Sequence, residues 1–220
     1  MKVAISEIFE SIQLEGRNVW KPSVFVRFWW CNLSCSWCDT KYAWDEKIEK
    51  ANMLDLNNIV DKIKTFSSKH IIFTWWEPTL FQEYMYLISK KLGNEYTYEL
   101  ETNWSIELDG KLYFEQINIS PKLSNSWNNF YKLEILNNIK NYAKNIDFKF
   151  VALDKEDLKE IEEYLSKINY KDVINWIYIM PLWTTKESQN NKIVLNYCIK
   201  KWYNYCLRQH IILFWDKKWV

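Results

Sequence analysis

The chain has 220 residues, enough for one domain with a buried core and short for two, so we predict a single domain over residues 1–220. Its 29 basic and 28 acidic side chains leave a formal net charge of +1, which gives no reason to expect nucleic acid or a membrane surface as a partner. No run approaches the roughly 20 apolar residues of a membrane span, and the N-terminus lacks the apolar stretch of a signal peptide, so we expect a cytoplasmic protein.

Short strand-like runs alternate with helical patterns along the chain, which is typical of a parallel α/β sheet. The predicted strands are residues 23–28, 70–74, 96–102, 116–120, 147–152, 176–180 and 210–214. Apolar residues recur at helical spacing over 56–66 and over 158–168, and Asp55 and Asp154 stand where each helix needs an N-cap.

Three of the five cysteines lie within the segment CNLSCSWC, directly after the first predicted strand. An odd total without a secretory signal argues against disulfides, so Cys31, Cys35 and Cys38 are predicted to converge on one metal centre. A structural zinc site would need a fourth ligand nearby, whereas a four-iron cluster held by three cysteines leaves one iron open for a small molecule. Cys198 and Cys206 are distant in sequence, and we expect them to be core thiols.

The CxxxCxxC spacing resembles the signature of the radical S-adenosylmethionine (SAM) superfamily, whose members bind SAM at the open iron and cleave it to a 5′-deoxyadenosyl radical. Further segments are similar to one family within it, 7-carboxy-7-deazaguanine synthase of queuosine and 7-deazapurine biosynthesis. These segments are EIFESIQLEG at 7–16, PSVFVR at 22–27, CNLSCSWCDT at 31–40, SPKLS at 120–124 and the C-terminal stretch from Arg208. The resemblance implies a lyase that converts 6-carboxy-5,6,7,8-tetrahydropterin to 7-carboxy-7-deazaguanine, with hydrogen abstraction from C6 of the pterin and loss of ammonia.

The same resemblance implies binding residues. A [4Fe-4S] cluster would be held by Cys31, Cys35 and Cys38, and a Mg²⁺ ion, which favours oxygen ligands, by the hydroxyl of Thr40. The residues implied for SAM are Trp37, Asp39, Trp76, Ser120, Pro121 and Lys122. The residues implied for the pterin are Ile12, Gln13, Leu14, Arg27, Thr74 and Val220. Arg27 would face the substrate carboxylate, whose two oxygens match its guanidinium fork. Leu14 stands where the family usually has glycine, which leaves that wall of the pocket undefined.

The resemblance further implies an α/β fold, an incomplete (β/α)6 TIM-like barrel with its site at the carboxyl ends of the strands. It also implies a homodimer and an electron donor such as flavodoxin or ferredoxin. Two alternatives stay open. One is a radical SAM activase or other modifying enzyme, which would share the cluster but not the pterin substrate. The other is a non-enzymatic module whose cysteine loop binds zinc.

Glycine and tryptophan occur in unusual numbers. Average usage of about 7% predicts on the order of 15 glycines in this length, whereas the chain has 3 glycines and 14 tryptophans. Tryptophan stands where a turn, a cofactor-binding loop or the family pattern requires glycine at positions 20, 29, 30, 75, 76, 104, 127, 183, 202, 215 and 219. Trp37 and Trp44 fit as tryptophans, and Trp176 is unassigned. We hypothesise that the source reads UGA as glycine at those eleven positions, and that a chain with true indoles at 75 and 76 would misfold or fail to bind SAM.

Overall fold

The computed structural model describes residues 1–38, 51–75, 77–128, 139–168 and 170–214, which form one nine-stranded sheet with helices packed against it. The strands are β1 (Lys2–Ile12), β2 (Pro22–Phe28), β3 (Asn52–Asp55), β4 (His70–Thr74), β5 (Thr97–Thr102), β6 (Phe114–Ile119), β7 (Ala143–Ala152), β8 (Trp176–Pro181) and β9 (Asn204–Tyr205). The helices are α1 (Leu56–Lys64), α2 (Gln82–Leu92), α3 (Lys155–Ser166), α4 (Lys192–Lys201) and α5 (Gln209–Phe214).

The sheet runs in the order β3, β1, β2, β4, β5, β6, β7, β8, β9. β1 pairs antiparallel with β2 and with β3, and every pair from β2 to β9 is parallel. The six long parallel strands, β2 and β4 to β8, form an open sheet, which confirms the predicted incomplete (β/α)6 architecture. Because these strands are parallel, their carboxyl ends meet at one edge of the sheet, where such folds carry their active sites.

The two predicted helices begin at their predicted caps. The Asp55 carboxylate accepts the backbone N–H groups of Asn57 and Asn58 at the start of α1, and Asp154 does the same for the first turn of α3. α1 buries the apolar face that its periodicity predicts, with Ile59 and Ile63 inaccessible to solvent. Capping satisfies backbone donors that would otherwise lack partners, and packing of the apolar face against the sheet supplies most of the stability of each helix.

The central strands alternate between apolar and polar side chains. Leu100 of β5, Ile117 of β6 and Phe148 of β7 lie in the hydrophobic core between the sheet and the helices. The polar residues that alternate with them are Glu99, Glu101, Gln116, Asn118, Asp147 and Lys149. Since successive side chains of a strand point to opposite faces, one face of the sheet is apolar and the other presents buried polar groups. That polar face lies beneath the candidate site.

The prediction of a strand over 210–214 is wrong, because these residues form helix α5. The place beside β8 is taken by the short β9, which pairs with it in parallel. Within α5, Ile211 is buried while Ile212 and Leu213 are exposed, so burial follows one side of a helix rather than the alternation of a strand. The strand-like composition of this apolar run does not by itself distinguish the two.

The antiparallel strands β1 and β3 and the helix α2 were not predicted. β1 carries Glu7 and Glu10 among its apolar residues and is half-buried along most of its length, so its pattern lacks a clean period of two.

Cys198, in α4, and Cys206, after β9, are buried as predicted. None of the helices in the described ranges has the length and apolar character that crossing a membrane requires.

Candidate active site

A cavity of about 220 Å³ opens at the carboxyl ends of the parallel strands. The predicted site residues that line it are Ile12, Gln13, Leu14, Arg27, Cys31, Cys35, Trp37, Cys38, Thr74, Ser120 and Lys122. Pro121 is buried next to two of them but does not itself line the cavity. Asp39, Thr40, Trp76 and Val220 lie outside the described residues. The structure therefore gathers residues from distant parts of the sequence around one space.

The three clustered cysteines lie on the loop after β2 and face this cavity as free thiols. Two of the sulfur atoms already receive N–H donors: the backbone N–H of Leu33 points to Cys31 Sγ at 3.3 Å, and the Asn128 side-chain amide points to Cys35 Sγ at 3.3 Å. Burial raises the pKa of the Cys31 thiol to about 12 and also raises the pKa of Cys35. A coordinating metal deprotonates such thiols, and N–H donors to sulfur then stabilise the thiolates and adjust the cluster potential.

These residues fit an iron–sulfur cluster by their donor set. Among the described residues, no three His, Cys, Asp or Glu side chains are placed to ligate one metal ion together. A [4Fe-4S] cluster does not need that arrangement, because each of its cysteines binds a different iron atom. Three thiols spread around one cavity thus suit a cluster of several metal atoms.

Three of the residues predicted for SAM, Trp37, Ser120 and Lys122, lie together in the cavity that the cysteines line. Lys122 Nζ donates to Ser120 Oγ at 2.7 Å and lies 5.5 Å from the centre of the Trp37 ring. The Trp37 indole N–H in turn donates to Asn125 Oδ1 at 3.0 Å. This side of the cavity therefore combines a cation, a hydroxyl and an aromatic face, which can receive a carboxylate, a hydroxyl and a purine ring, respectively.

The buried carboxyl group of Glu77 connects the loop after β4 with the end of β5. It is inaccessible to solvent, accepts the hydroxyl of Thr102 at 2.7 Å and accepts the backbone N–H of Asn103 at 2.8 Å. Burial raises the pKa of Glu77 even though these donors oppose the shift. The carboxyl group thereby fixes the loop after β4 against the end of β5.

Two of the residues predicted for the pterin, Gln13 and Thr74, form a hydrogen-bonded set around Glu101. The Gln13 amide donates to Glu101 at 3.2 Å and to the buried Glu99 at 3.0 Å, and the Thr74 hydroxyl donates to the second oxygen of Glu101 at 2.9 Å. Glu99 also accepts from His70, which is buried at the start of β4. The polar groups of Gln13 and Thr74 are therefore held in fixed orientations.

Arg27, the penultimate residue of β2, is buried to 3% exposure and pairs with Glu7 across the β1–β2 register. Its guanidinium lies 4.6 Å from the ring centre of Phe9 and 3.4 Å from that of Trp75. The cation thus reaches the cavity between two aromatic faces.

Lys149, from the middle of β7, places a buried cation against two carboxylates. Its ammonium group lies 2.7 Å from Glu15 and 3.4 Å from Glu101. Burial opposes the charge on Lys149, but the two carboxylates outweigh it and raise its pKa. Burial likewise favours the neutral form of Glu15, but Lys149, His210 and Arg208 lower its pKa to about 2. The floor of the cavity is therefore an ionised network.

This network was not predicted from the sequence as part of the site. The signal was present as charged residues at alternate positions of strands that otherwise read as apolar, such as Glu99 and Glu101 in β5 and Asp147 and Lys149 in β7. Strands of a parallel sheet are usually apolar on both faces, so charges repeated at a period of two indicate a face that lines a polar site.

Replacing Lys149 by methionine should lower the free energy of unfolding by about 2 kcal/mol, because it leaves the half-buried carboxylates of Glu15 and Glu101 without their cation. The measurement is urea unfolding at neutral pH. Lys149→Arg should keep most of the stability, and Lys144→Met, which removes an exposed partner of Glu115, should change nothing measurable. Equal losses from Lys149→Met and Lys144→Met would contradict this role for Lys149.

The contribution of Glu15 to the free energy of unfolding should depend on pH in a defined direction. Because the pKa of Glu15 falls from 4.5 to about 2 in the folded chain, its contribution is present above pH 4.5 and is lost as the pH falls towards 2. The Lys149→Met variant should lose less stability than the parent over that pH interval.

Comparison with known proteins identifies the family. The model of the radical SAM superfamily matches residues 27–181. The 7-carboxy-7-deazaguanine synthase of Buchnera aphidicola subsp. Schizaphis graminum is 34% identical over 219 residues, which cover 91% of this chain and 91% of the relative. That of Clostridium acetobutylicum is 34% identical over 187 residues, 83% of this chain and 82% of the relative. The crystal structure of QueE from Escherichia coli has the same fold, with a TM-score of 0.70 and 21% identity over 94% of this chain and 93% of that one. The chain belongs to the radical SAM superfamily and, within it, to the 7-carboxy-7-deazaguanine synthase family.

Proposed function

We propose that the chain converts 6-carboxy-5,6,7,8-tetrahydropterin to 7-carboxy-7-deazaguanine with loss of ammonia, as a radical SAM lyase of queuosine and 7-deazapurine biosynthesis. The observation that carries the proposal is that the three-cysteine loop faces the same cavity as Arg27, Gln13 and Thr74. A cluster-binding loop and a polar pocket for a carboxylated heterocycle are thereby adjacent, in a chain of this family.

Cys31, Cys35 and Cys38 would hold the [4Fe-4S] cluster. When bound, the cluster supplies the electron that cleaves SAM and so provides the radical chemistry, while the protein supplies binding and orientation. The N–H groups of Leu33 and Asn128 would stabilise the thiolates of Cys31 and Cys35.

The wall formed by Ser120, Pro121 and Lys122 with Trp37 would bind SAM, together with Asp39 and position 76. Support comes from the contact of Lys122 with both Ser120 and Trp37, which holds a cation where a carboxylate group would be recognised. Glu77 would act indirectly, by fixing the loop that follows β4.

The pterin would lie over the polar face of the sheet. Arg27 would bind its carboxylate through two parallel N–H donors, and Ile12, Leu14 and Val220 would border the ring. The aminopyrimidinone edge of a pterin presents N–H donors, which match the carboxylates of Glu101 and Glu15 that line the cavity. Gln13 and Thr74 would keep Glu101 in position through their hydrogen bonds.

Three further parts of the proposal come from the family resemblance. A Mg²⁺ ion would bind the Thr40 hydroxyl and substrate oxygens, where it would orient the pterin and stabilise developing charge. The active form would be a homodimer without nucleic acid, and a flavodoxin or ferredoxin would deliver the electron. Removal of Mg²⁺ with a chelator should then lower turnover without removing iron.

The direct test uses protein reconstituted anaerobically with iron and sulfide. With reductant, SAM, Mg²⁺ and 6-carboxy-5,6,7,8-tetrahydropterin, we expect 7-carboxy-7-deazaguanine and 5′-deoxyadenosine in the products, measured by liquid chromatography and mass spectrometry. Because indoles at positions that require glycine should disturb folding and SAM binding, the assay uses two proteins in parallel. One is the chain as written, and the other is its glycine-substituted form, which carries glycine at positions 20, 29, 30, 75, 76, 104, 127, 183, 202, 215 and 219.

The two alternatives give different results in the same assay. A radical SAM activase or modifying enzyme would form 5′-deoxyadenosine without consuming the pterin, and a zinc module would contain zinc and no iron after anaerobic purification. Either result, obtained with the glycine-substituted form, would contradict the proposed function.

A further inference from the structure

Within the part of the chain that the structure describes, the backbone turns to positive φ at residues of only two types, glycine and tryptophan. Among the described residues, positive φ occurs at all three glycines and at six tryptophans. The tryptophans are Trp20 (φ 73°), Trp30 (145°), Trp75 (67°), Trp104 (61°), Trp127 (63°) and Trp202 (58°). Steric clash of Cβ with the backbone disfavours such φ values for every residue except glycine, and Asn and Asp tolerate them better than aromatic residues do. Within the described chain, none of the many Asn and Asp residues adopts one.

Two helix ends show the equivalence of glycine and tryptophan in this chain. Helix α2 ends at Gly93, which has φ 84° and donates its N–H to the carbonyl of Ser89. Helix α4 ends at Trp202, which has φ 58° and donates its N–H to the carbonyl of Cys198 in the same i to i−4 pattern. With ψ 36°, Trp202 has the left-handed conformation that glycine favours at helix ends, whereas Gly93 shares the positive φ and has ψ −173°. The Trp202 side chain is 93% exposed, so the indole gains no packing that offsets the strain.

A second residue with positive φ and an exposed indole follows the short helical turn at Ser124–Ser126. Trp127 follows it with φ 63° and donates its N–H to the carbonyl of Ser124 at 2.9 Å. Its side chain is 84% exposed. Both positions thus have the backbone of a glycine and an indole that contacts little.

Trp104, unlike Trp127 and Trp202, is buried. It lies after the end of β5 with φ 61° and only 3% exposure, and its indole N–H has no hydrogen-bond partner in the described structure. A buried donor without a partner destabilises a fold, and nearly all buried polar groups in native proteins are paired. Glycine would relieve both the backbone strain and the unpaired donor.

Trp75 directly affects the candidate site. It follows Thr74 at the end of β4 with φ 67°, and its ring centre lies 3.4 Å from the guanidinium carbon of Arg27. The indole therefore covers the cation that would bind the substrate carboxylate. The cavity it lines, about 220 Å³, is smaller than the roughly 300–1,000 Å³ usual for small-molecule sites, although the proposed reaction needs room for SAM and a pterin.

Two other tryptophans behave as genuine ones. Trp37 and Trp176 have no positive φ. The Trp37 indole donates to Asn125, and the Trp176 ring lies 5.7 Å from the guanidinium carbon of Arg17 in a cation–π contact. The backbone therefore does not require glycine at position 176, which the sequence left open, and the cation–π contact with Arg17 favours tryptophan there.

We infer that the functional protein carries glycine at positions 20, 30, 75, 104, 127 and 202, and that glycine at position 75 uncovers Arg27 for substrate. Trp29 and Trp183 have no positive φ, so the backbone does not require glycine there, and Trp76, Trp215 and Trp219 lie outside the described residues. The first part of the inference is independent of the proposed function, whereas the part concerning Arg27 rests on it.

The first part is tested on protein purified from the source organism by peptide mass spectrometry. We expect peptides whose masses correspond to glycine at the six positions and to tryptophan at positions 37 and 176. The matching gene should carry UGA at the six positions and UGG at 37 and 176. Peptides with tryptophan at the six positions would overturn the inference, whatever the enzymatic activity of the protein.

The second part is tested on two recombinant proteins that both carry glycine at positions 20, 30, 104, 127 and 202. One retains Trp75 and the other carries Trp75→Gly. The probe is 6-carboxypterin, a stable oxidised analogue of the substrate, and binding is measured by calorimetry. We expect the Trp75→Gly protein to bind about tenfold more tightly or better, a difference of about 1.4 kcal/mol. Equal affinities would overturn the role of position 75.

A third variant separates this outcome from failure of the proposed function. Arg27→Gln in the Trp75→Gly background should return the affinity to that of the Trp75 protein, because the uncovered cation is the binding group. If the Trp75→Gly protein binds tightly and Arg27→Gln does not weaken it, the gain did not come from uncovering Arg27, and this part is overturned. If mass spectrometry finds glycine but 6-carboxypterin does not bind, the glycine assignment stands and the proposed substrate fails.

Discussion

In the glycine-substituted protein, replacing Cys35 by serine should abolish both iron binding and the cleavage of SAM. Each of the three cysteines faces the cavity, and each would bind a different iron, so a serine leaves one iron without its thiolate. After anaerobic reconstitution, we expect about four irons and four sulfides per chain in the parent and a loss of the cluster absorbance in the variant. 5′-Deoxyadenosine formation should fall to the level without enzyme.

The matched control is Cys198→Ala. Cys198 is also a free thiol, but it is buried in α4 within the hydrophobic core. Its removal should leave the iron content unchanged and cost only some packing stability. If Cys35→Ser retained a full cluster, or if Cys198→Ala lost it, the cluster would not lie on the loop after β2.

The second large effect concerns stability. Substituting glycine at the five positive-φ tryptophans that lie outside the core, all except the buried Trp104, should raise the free energy of unfolding by about 2.5–5 kcal/mol in total. Each left-handed residue other than glycine costs roughly 1–2 kcal/mol, and the greater flexibility of glycine in the unfolded chain returns about 0.5–1 kcal/mol of that gain. The positions are distributed over separate loops, so their effects should be nearly additive.

Urea unfolding and the melting temperature measure this effect, and we expect the melting temperature to rise by about 10 °C. The matched control is Trp176→Gly, in a strand with ordinary φ, which should lower stability by about 0.5–1 kcal/mol. If the five-glycine protein were no more stable than the chain as written, the strain assigned to the five positions would be absent.

Much of the fold was predictable because parallel strands with buried faces have a strong local pattern. The run HIIFT is β4 at the predicted bounds, and the Asp55 and Asp154 caps mark the observed starts of α1 and α3. The run HIILF has a similar composition and forms a helix instead, because β9 occupies the place beside β8. Which strand pairs with which is decided by the whole sheet, so a short apolar segment cannot specify it.

The candidate site was predictable where its chemistry is local in sequence. Cys31, Cys35 and Cys38 share one loop, so their spacing alone indicates a metal centre. The pairing of Lys149 with Glu15 joins residues that are far apart in the chain, and it depends on the register of β6, β7 and the N-terminal hairpin. Only the alternation of charges in β5 and β7 gave a sign of this polar face.

The positions that require glycine are identified by the sequence and the backbone conformation together. Composition indicated that glycines were missing, and the family pattern suggested eleven positions. The φ angles then supply a physical criterion that composition lacks, since they mark six of these positions as requiring glycine. At Trp29 and Trp183, where φ is ordinary, the hypothesis still depends on the pattern alone.

The measurement that tests the central claim most directly follows the hydrogen atom at C6 of the substrate. The protein that carries glycine at all eleven positions of the hypothesis, position 76 included, is reconstituted, reduced and supplied with SAM and 6-carboxy-5,6,7,8-tetrahydropterin that carries deuterium at C6. The account predicts that 5′-deoxyadenosine contains deuterium and that 7-carboxy-7-deazaguanine accumulates with it. Formation of unlabelled 5′-deoxyadenosine without this product, by protein that holds a complete cluster, would contradict it.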